Sequence, residues 1–313
     1  MLGFVWLKTN RWRALERLPA EVLAVVDRVK RDRRSGASQL TLLSLEALRL
    51  ASAEVEADSL REFFGKLRLV GCLLSEAKPS MVSIANIAGR LLWELEKAAV
   101  ESLSEARRLA LNLSLKLAGG YREALRKAAF EASRLMAGVK AVATCSYSSL
   151  VLEAFRVAVE NGLSFRVLAA ESKVKGLSHG RNLAAKASSL GLKAEVHPDS
   201  KLSRMVKEAS LVLLGADAVL PDGSIINGSP SLKLAGEAQR EARSLYVVCD
   251  SFKISPSPMK AEEGFDLVPR ELVGSLITEE GKTAFSMVRR KALEAENFRR
   301  ALRGEPGLFS STR

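Results

Sequence analysis

Residues 138–171, GVKAVATCSYSSLVLEAFRVAVENGLSFRVLAAE, hold one complete strand–helix–strand unit. The run Val139–Thr144 is short, apolar and rich in valine and alanine, as a strand buried on both faces requires. An Ala-, Leu- and Val-rich stretch over 149–161 follows at helical length, and Asn161-Gly162 supplies the small residues that commonly close a helix. Phe165–Ala170 is then a second buried strand.

The alternation continues downstream. The runs Leu192–Val196, Leu211–Leu214 and Leu245–Val248 are separated by helical segments near 180–190, 200–208 and 231–242, with Leu190-Gly191 ending the first of these. Repeated βαβ units predict a parallel sheet with right-handed crossovers. The fold class expected is therefore α/β: a Rossmann-like domain over 138–313, closing in a terminal helix from about 282 and a polar tail.

Upstream, residues 1–137 predict a separate helical domain, because Leu, Ala, Glu, Lys and Arg dominate. Leu42, Leu43, Leu45, Leu48 and Leu50 form an amphipathic stripe. Ser59 is placed to cap a helix running to about Leu74, and Lys78-Pro79-Ser80 breaks the chain before a helix to about Ala99. Two further helices, 101–117 and 121–136, are expected on either side of Gly119-Gly120.

With 313 residues, two cores are the ordinary solution. The chain lacks the run of about 18 apolar residues that a membrane span needs. Its first residues are apolar and then basic, the reverse of an export signal. Cys72, Cys145 and Cys249 are few, odd in number and scattered, which predicts free thiols in a reducing cytoplasm. Two histidines, His179 and His197, argue against a zinc site; neither a metal nor a cofactor is expected. The net charge of +12 suits anionic partners, nucleic acid among them, although no RNA-binding motif accompanies it.

In open parallel sheets, ligands bind beyond the carboxyl ends of the strands, so the residues following each run are the candidates. Ser146, Ser148 and Ser149 follow the first strand at the start of a helix, where a phosphate is favoured. After the second strand, Glu171 could hold a sugar hydroxyl, and Lys173 or Arg181 a phosphate. Asp217, in Gly215-Ala216-Asp217, is a carboxylate at a strand end and could move a proton. Asp222-Gly223 signals a hairpin, and Asn227 to Ser229 lead into another helix start. Asp250 and Lys253 follow the last strand.

Taken in order, these residues resemble the family of the α, β and δ subunits of translation initiation factor 2B. That family includes methylthioribose-1-phosphate isomerase and archaeal ribose-1,5-bisphosphate isomerase. The resemblance rests on Pro79–Asn86, Thr144–Ser149, Ala170-Glu171-Ser172 with Gly180-Arg181, Asp199-Ser200, Gly215–Ala218, Asp222–Asn227, Tyr246 with Lys253, Phe265-Asp266 with Pro269, and Ile277–Gly281. It spans roughly residues 40–281. It implies dimers or hexamers built largely through the sheet domain, contact with initiation factor 2, and a small phosphorylated ligand. For the isomerase members it implies a catalytic Cys after the first strand and a catalytic Asp in the Gly-Ala-Asp turn. Asp217 matches the Asp, whereas Ser146 stands at the Cys position and Cys145 lies one residue early. Gly228 replaces the family's lysine, and Lys173-Val174 its Arg-Pro. These departures favour a regulatory protein that binds a nucleotide monophosphate or sugar phosphate. The alternative is an aldose–ketose isomerase using Asp217 and Cys145.

Overall fold

The computed structural model describes residues 18–306. The apolar-then-basic start and the tail after 306 lie outside the described residues. Helices α1 (Ala20–Arg31), α2 (Ala37–Glu54), α3 (Leu60–Ala77), α4 (Val82–Lys97) and α5 (Leu103–Ser133) come first. Ser59 caps α3, its hydroxyl accepting from the Glu62 N–H, and Phe63 in the first turn is fully buried. The break at Pro79 falls between α3 and α4. The expected pair of helices around Gly119-Gly120 is instead the single helix α5 of 31 residues. Glycine weakens a helix interior by about 1 kcal/mol but leaves every backbone hydrogen bond possible, so packed turns on either side carry it through.

The second part contains β1 (Ala141–Thr144), α6 (Ser149–Glu160), β2 (Arg166–Ala170), β3 (Lys173–Val174), β4 (Leu177–Ser178), α7 (His179–Ser189) and β5 (Lys193–His197). It continues with α8 (Leu202–Glu208), β6 (Leu211–Leu214), β7 (Ala218–Val219), β8 (Ile225–Gly228), α9 (Ser231–Arg240) and β9 (Leu245–Val248). β10 (Phe265–Val268), β11 (Ser275–Thr278), β12 (Gly281–Thr283) and α10 (Phe285–Arg303) complete it. The main sheet has seven strands in the order β12-β11-β9-β6-β1-β2-β5, all parallel except β12, which pairs antiparallel with β11. Every strand expected from the sequence belongs to it. Gly162 and Gly191, at φ +78 and +89, supply the left-handed residues after α6 and α7.

Strand alternation divides the core into two layers. Ala141 and Ala143 face one side with Leu168, α8, α9 and the start of α10, whereas Val142 faces the other with Val167, α6, α7 and the end of α5. Phe155 and Phe165 meet edge to face at 5.4 Å in the latter layer. Full burial of one such ring contributes about 2–3 kcal/mol. The Asp222-Gly223 turn joins β7 to β8, which with β10 makes a small antiparallel sheet. The hairpin β3–β4 and strand β12 are too short to leave a periodic signal.

By contacts the chain divides into two compact units. One holds Gln39–Arg122 with the segments up to Arg33 and from Leu293; the other holds Arg34–Ser38 and Glu123–Ala292. Within the first, a Cβ on Gly89 would lie 2.6 Å from the carbonyl carbon of Phe298, and one on Gly71 would lie 2.8 Å from Leu302. These glycines let α10 pack directly on α3 and α4.

Candidate functional site

The turn after β1 is built from three unlike residues. Cys145 is buried among the core side chains, and its thiol lies 3.2 Å from the Ser231 hydroxyl. Burial pushes its pKa up to about 12, against the helping Ser231 contact. Ser146 then takes a left-handed conformation at φ +61, uncommon for a residue with a Cβ. Ser148 caps α6, its hydroxyl accepting from the Val151 N–H at 3.3 Å.

Two neighbouring turns close on this one. A Cβ on Gly215 would lie 2.8 Å from Ser148 Cβ and 3.9 Å from Asn227 Oδ1, so the Gly-Ala-Asp turn, Ser148 and Asn227 meet. A Cβ on Gly228 would lie 3.0 Å from Ser146 Cβ, so Ser146 fills the space that any side chain at 228 would need. Asn227 donates to the Ser231 hydroxyl at 2.8 Å, and Ser231 donates to the Gly228 carbonyl at 2.7 Å. Gly36 lies over the start of α6: a Cβ there would sit 3.4 Å from the Ser149 N–H nitrogen and 3.3 Å from its hydroxyl. The segment Arg34–Ser38 thus belongs to the mouth of this helix.

The turn after β2 is satisfied internally. Arg181 donates to Glu171 Oε1 at 3.1 and 3.2 Å, so these two candidates hold each other at the rim. Lys173 lies exposed in the β3–β4 hairpin, its N–H donating to Asp199 Oδ2 at 3.3 Å. At the start of α9, Asp266 accepts from the Ser229 hydroxyl at 2.6 Å and from the Leu232 N–H at 3.0 Å. The protein's own carboxylate therefore takes the anion seat at that helix, and Ser229 is engaged in holding it.

Asp217 follows β6, its N–H donating to the Ile226 carbonyl at 2.8 Å. Burial pushes its carboxyl up to about 6, and the Lys253 charge acts against that rise. Lys253 is itself buried, 3.9 Å from the buried Asp250 carboxylate. Ser251, between them, is held by Glu279 through its N–H and hydroxyl. Among the described residues no His, Cys, Asp and Glu side chains cluster in a way that could hold a metal ion, and no helix is long and apolar enough to cross a membrane.

The structure thus brings together the turns bearing Ser146, Ser148, Ser149, Asn227 and Asp217, and turns the Cys145 thiol into the core, where the Ser231 hydroxyl stands between it and Asn227. Sequence reasoning missed Gly36, and it singled out Ser172, Asp199 and Asp266 as motif residues without giving them a role. Arg34-Ser35-Gly36-Ala37 carried a signal, a glycine amid polar residues just before a helix.

Residues 33–264 match the family model described as Initiation factor 2 subunit family. The chain is 28% identical over 282 residues to a translation initiation factor eIF-2B subunit 2-like protein of Pyrococcus abyssi, covering 84% of this chain and 96% of that one. It is 23% identical over 294 residues to ribose 1,5-bisphosphate isomerase of Thermococcus kodakarensis, covering 83% and 90%. Among solved structures, the Pyrococcus horikoshii translation initiation factor eIF-2B superposes with a TM-score of 0.74 at 26% identity, covering 85% of this chain and 98% of that one. The tetrameric eIF2B-beta2-delta2 complex of C. thermophilum contains a chain of the same fold, with a TM-score of 0.76 at 19% identity, covering 93% and 98%.

Proposed function

This chain belongs to the initiation factor 2 subunit family, and from that premise we propose that it is a regulatory, subunit-like protein that binds a nucleotide monophosphate or sugar phosphate without turning it over. The observation that carries this reading is the fate of the thiol. Cys145 is packed into the core against Ser231 with its pKa pushed up to about 12. A thiol so disposed is neither ionised nor accessible near neutral pH. Ser146, the residue beside it, is packed against Gly228 and carries a hydroxyl that exchanges protons poorly.

The phosphate is assigned to the start of α6. Among the helix starts at this end of the sheet, α9 already holds the Asp266 carboxylate, while α6 and α7 each have one first-turn amide capped by a serine hydroxyl, Ser148 on Val151 and Ser178 on Arg181. At α6 the amide of Ser149 lies beside Gly36, a setting that suits a phosphate oxygen. Asn227 and Asp217 then suit ribose hydroxyls, with Glu171, Lys173, Arg181 and Lys253 at or behind the rim. Association with further copies of the chain, contact with initiation factor 2 and a cytoplasmic site belong to the same proposal. It is supported by family membership and by Cys72, Cys145 and Cys249 being free.

One observation favours the isomerase alternative: a carboxyl raised to about 6, as Asp217 is, can accept and return a proton near neutral pH. The two readings separate in one experiment. Thermal shift and calorimetry with AMP and ribose-1,5-bisphosphate report binding, while incubation with ribose-1,5-bisphosphate and methylthioribose-1-phosphate is followed for ketose. Binding without ketose is expected; ketose production abolished by Asp217→Asn would reverse the assignment.

A further inference from the structure

Two residues with side chains stand in the left-handed region at the ends of adjacent strands, Ser146 at φ +61 after β1 and Ser172 at φ +52 after β2. Such a conformation is disfavoured for any residue bearing a Cβ and persists only where neighbours hold it. The holding bonds form one chain. Ser146 N–H donates to Ser172 Oγ at 2.7 Å, and Ser172 Oγ donates to the Ala170 carbonyl at 3.2 Å. Ser172 N–H donates to Asp199 Oδ1 at 2.9 Å, and Lys173 N–H to Asp199 Oδ2 at 3.3 Å. Ser172 is fully buried, so its hydroxyl has no water to replace these partners. Asp199 is fixed in turn by Lys233 of α9, which donates to its carbonyl at 3.0 Å.

We infer that Asp199 is a positioning residue for the ligand crevice, acting through Ser172 to hold Ser146 in the conformation that aims Tyr147, Ser148 and the start of α6. The carboxylate makes two charge-assisted bonds to successive amides, a stronger clamp than a neutral acceptor provides. Its loss leaves Ser172 to relax toward ordinary φ values and so withdraws the hydroxyl that accepts from the Ser146 amide. The residues it holds, 146 and 172, come from turns after two different strands, so the clamp fixes the two walls of the crevice to each other. Asp199 lies beyond β5, a third strand. The inference rests on the proposed phosphate seat for its functional meaning, but the clamp itself is testable without any ligand.

The test uses the full chain as wild type, Asp199→Ala, Asp199→Asn and Ser172→Ala. Amide hydrogen exchange is read without ligand, and AMP and ribose-1,5-bisphosphate affinities by calorimetry. Asp199→Ala and Ser172→Ala are expected to speed exchange of the Ser146 amide by about tenfold or more, with β1 and β2 amides unchanged. Asp199→Asn, which keeps one acceptor oxygen, is expected to fall between wild type and Asp199→Ala. Affinity for whichever probe binds the wild type should fall in the same order. An unchanged Ser146 amide in both alanine variants overturns the clamp, as does acceleration spread evenly over the sheet. A fast Ser146 amide with wild-type affinity overturns the positioning role. If neither probe binds the wild type, the functional reading fails, and the exchange data alone still decide whether the clamp exists.

Discussion

Ser146 and Gly228, 82 positions apart by their numbering, interlock: the Ser146 side chain occupies the space that a Cβ at position 228 would fill, its own Cβ 3.0 Å from that point. The pair explains two departures from the isomerase pattern together. A serine turned toward β8 requires a residue without a side chain there, and a lysine at 228 would require the serine to leave.

Gly228→Ala is accordingly expected to destabilise the protein by about 1–3 kcal/mol, the usual cost of overpacking a closed site. Ser146→Gly in the same chain should recover part of the loss, because it removes both the opposing side chain and the left-handed strain at φ +61. Urea unfolding of the two single variants and the double variant measures the coupling. Strict additivity would show that the two positions do not meet.

The glycines of the helical part should divide into two kinds. Gly89→Ala drives a Cβ into the Phe298 backbone, 2.6 Å from its carbonyl carbon, and should cost several kcal/mol, on the order of 2–4. Gly119→Ala and Gly120→Ala meet nothing within 4 Å and should each stabilise by about 0.5–1 kcal/mol. Thermal melts of the three variants check the sign of each.

The raised carboxyl of Asp217 has a pH signature. Its folded pKa of about 6 lies above the ordinary 3.8, so between these values the folded state holds the proton that the unfolded chain has released. Stability from this group therefore falls as pH rises from about 4 to about 6, by up to about 3 kcal/mol in all. Asp217→Asn should remove that decline, so that the variant gains on the wild type at pH 7 and matches it more closely at pH 4. Denaturant midpoints across that range, or direct NMR titration of the carboxyl, decide the matter.

Thiol chemistry should follow burial. Cys145 and Cys249 are buried with pKa values pushed far up, whereas Cys72 is only part-buried. Iodoacetamide at pH 8 is expected to label Cys72 first and the other two only when the protein unfolds. Peptide mass mapping over a time course gives the order; early labelling of Cys145 would return the thiol to the candidate catalytic group.

What could be read directly from residue order was whatever is periodic and local. Buried strands announced themselves as short apolar runs, crossover helices as Ala- and Leu-rich stretches of about three turns, and their ends as Asn161-Gly162 and Leu190-Gly191. The same logic misplaced the break at Gly119-Gly120, since two glycines weaken a helix without ending it when the turns on each side are packed. Strand ends likewise named Ser148, Asn227 and Asp217 as candidates. The destination of each side chain was decided elsewhere. Cys145 faces the core and Ser146 faces Gly228; Asp199 clamps Ser172, Asp266 takes the start of α9, and Gly36 covers the start of α6. Each is a contact across tens of residues, dependent on which strands lie side by side and on a left-handed turn that no local pattern encodes. Hydrophobic spacing specifies elements because it acts over one or two turns of chain. A site is specified by the packing of those elements against one another, and that exists only once the sheet has formed.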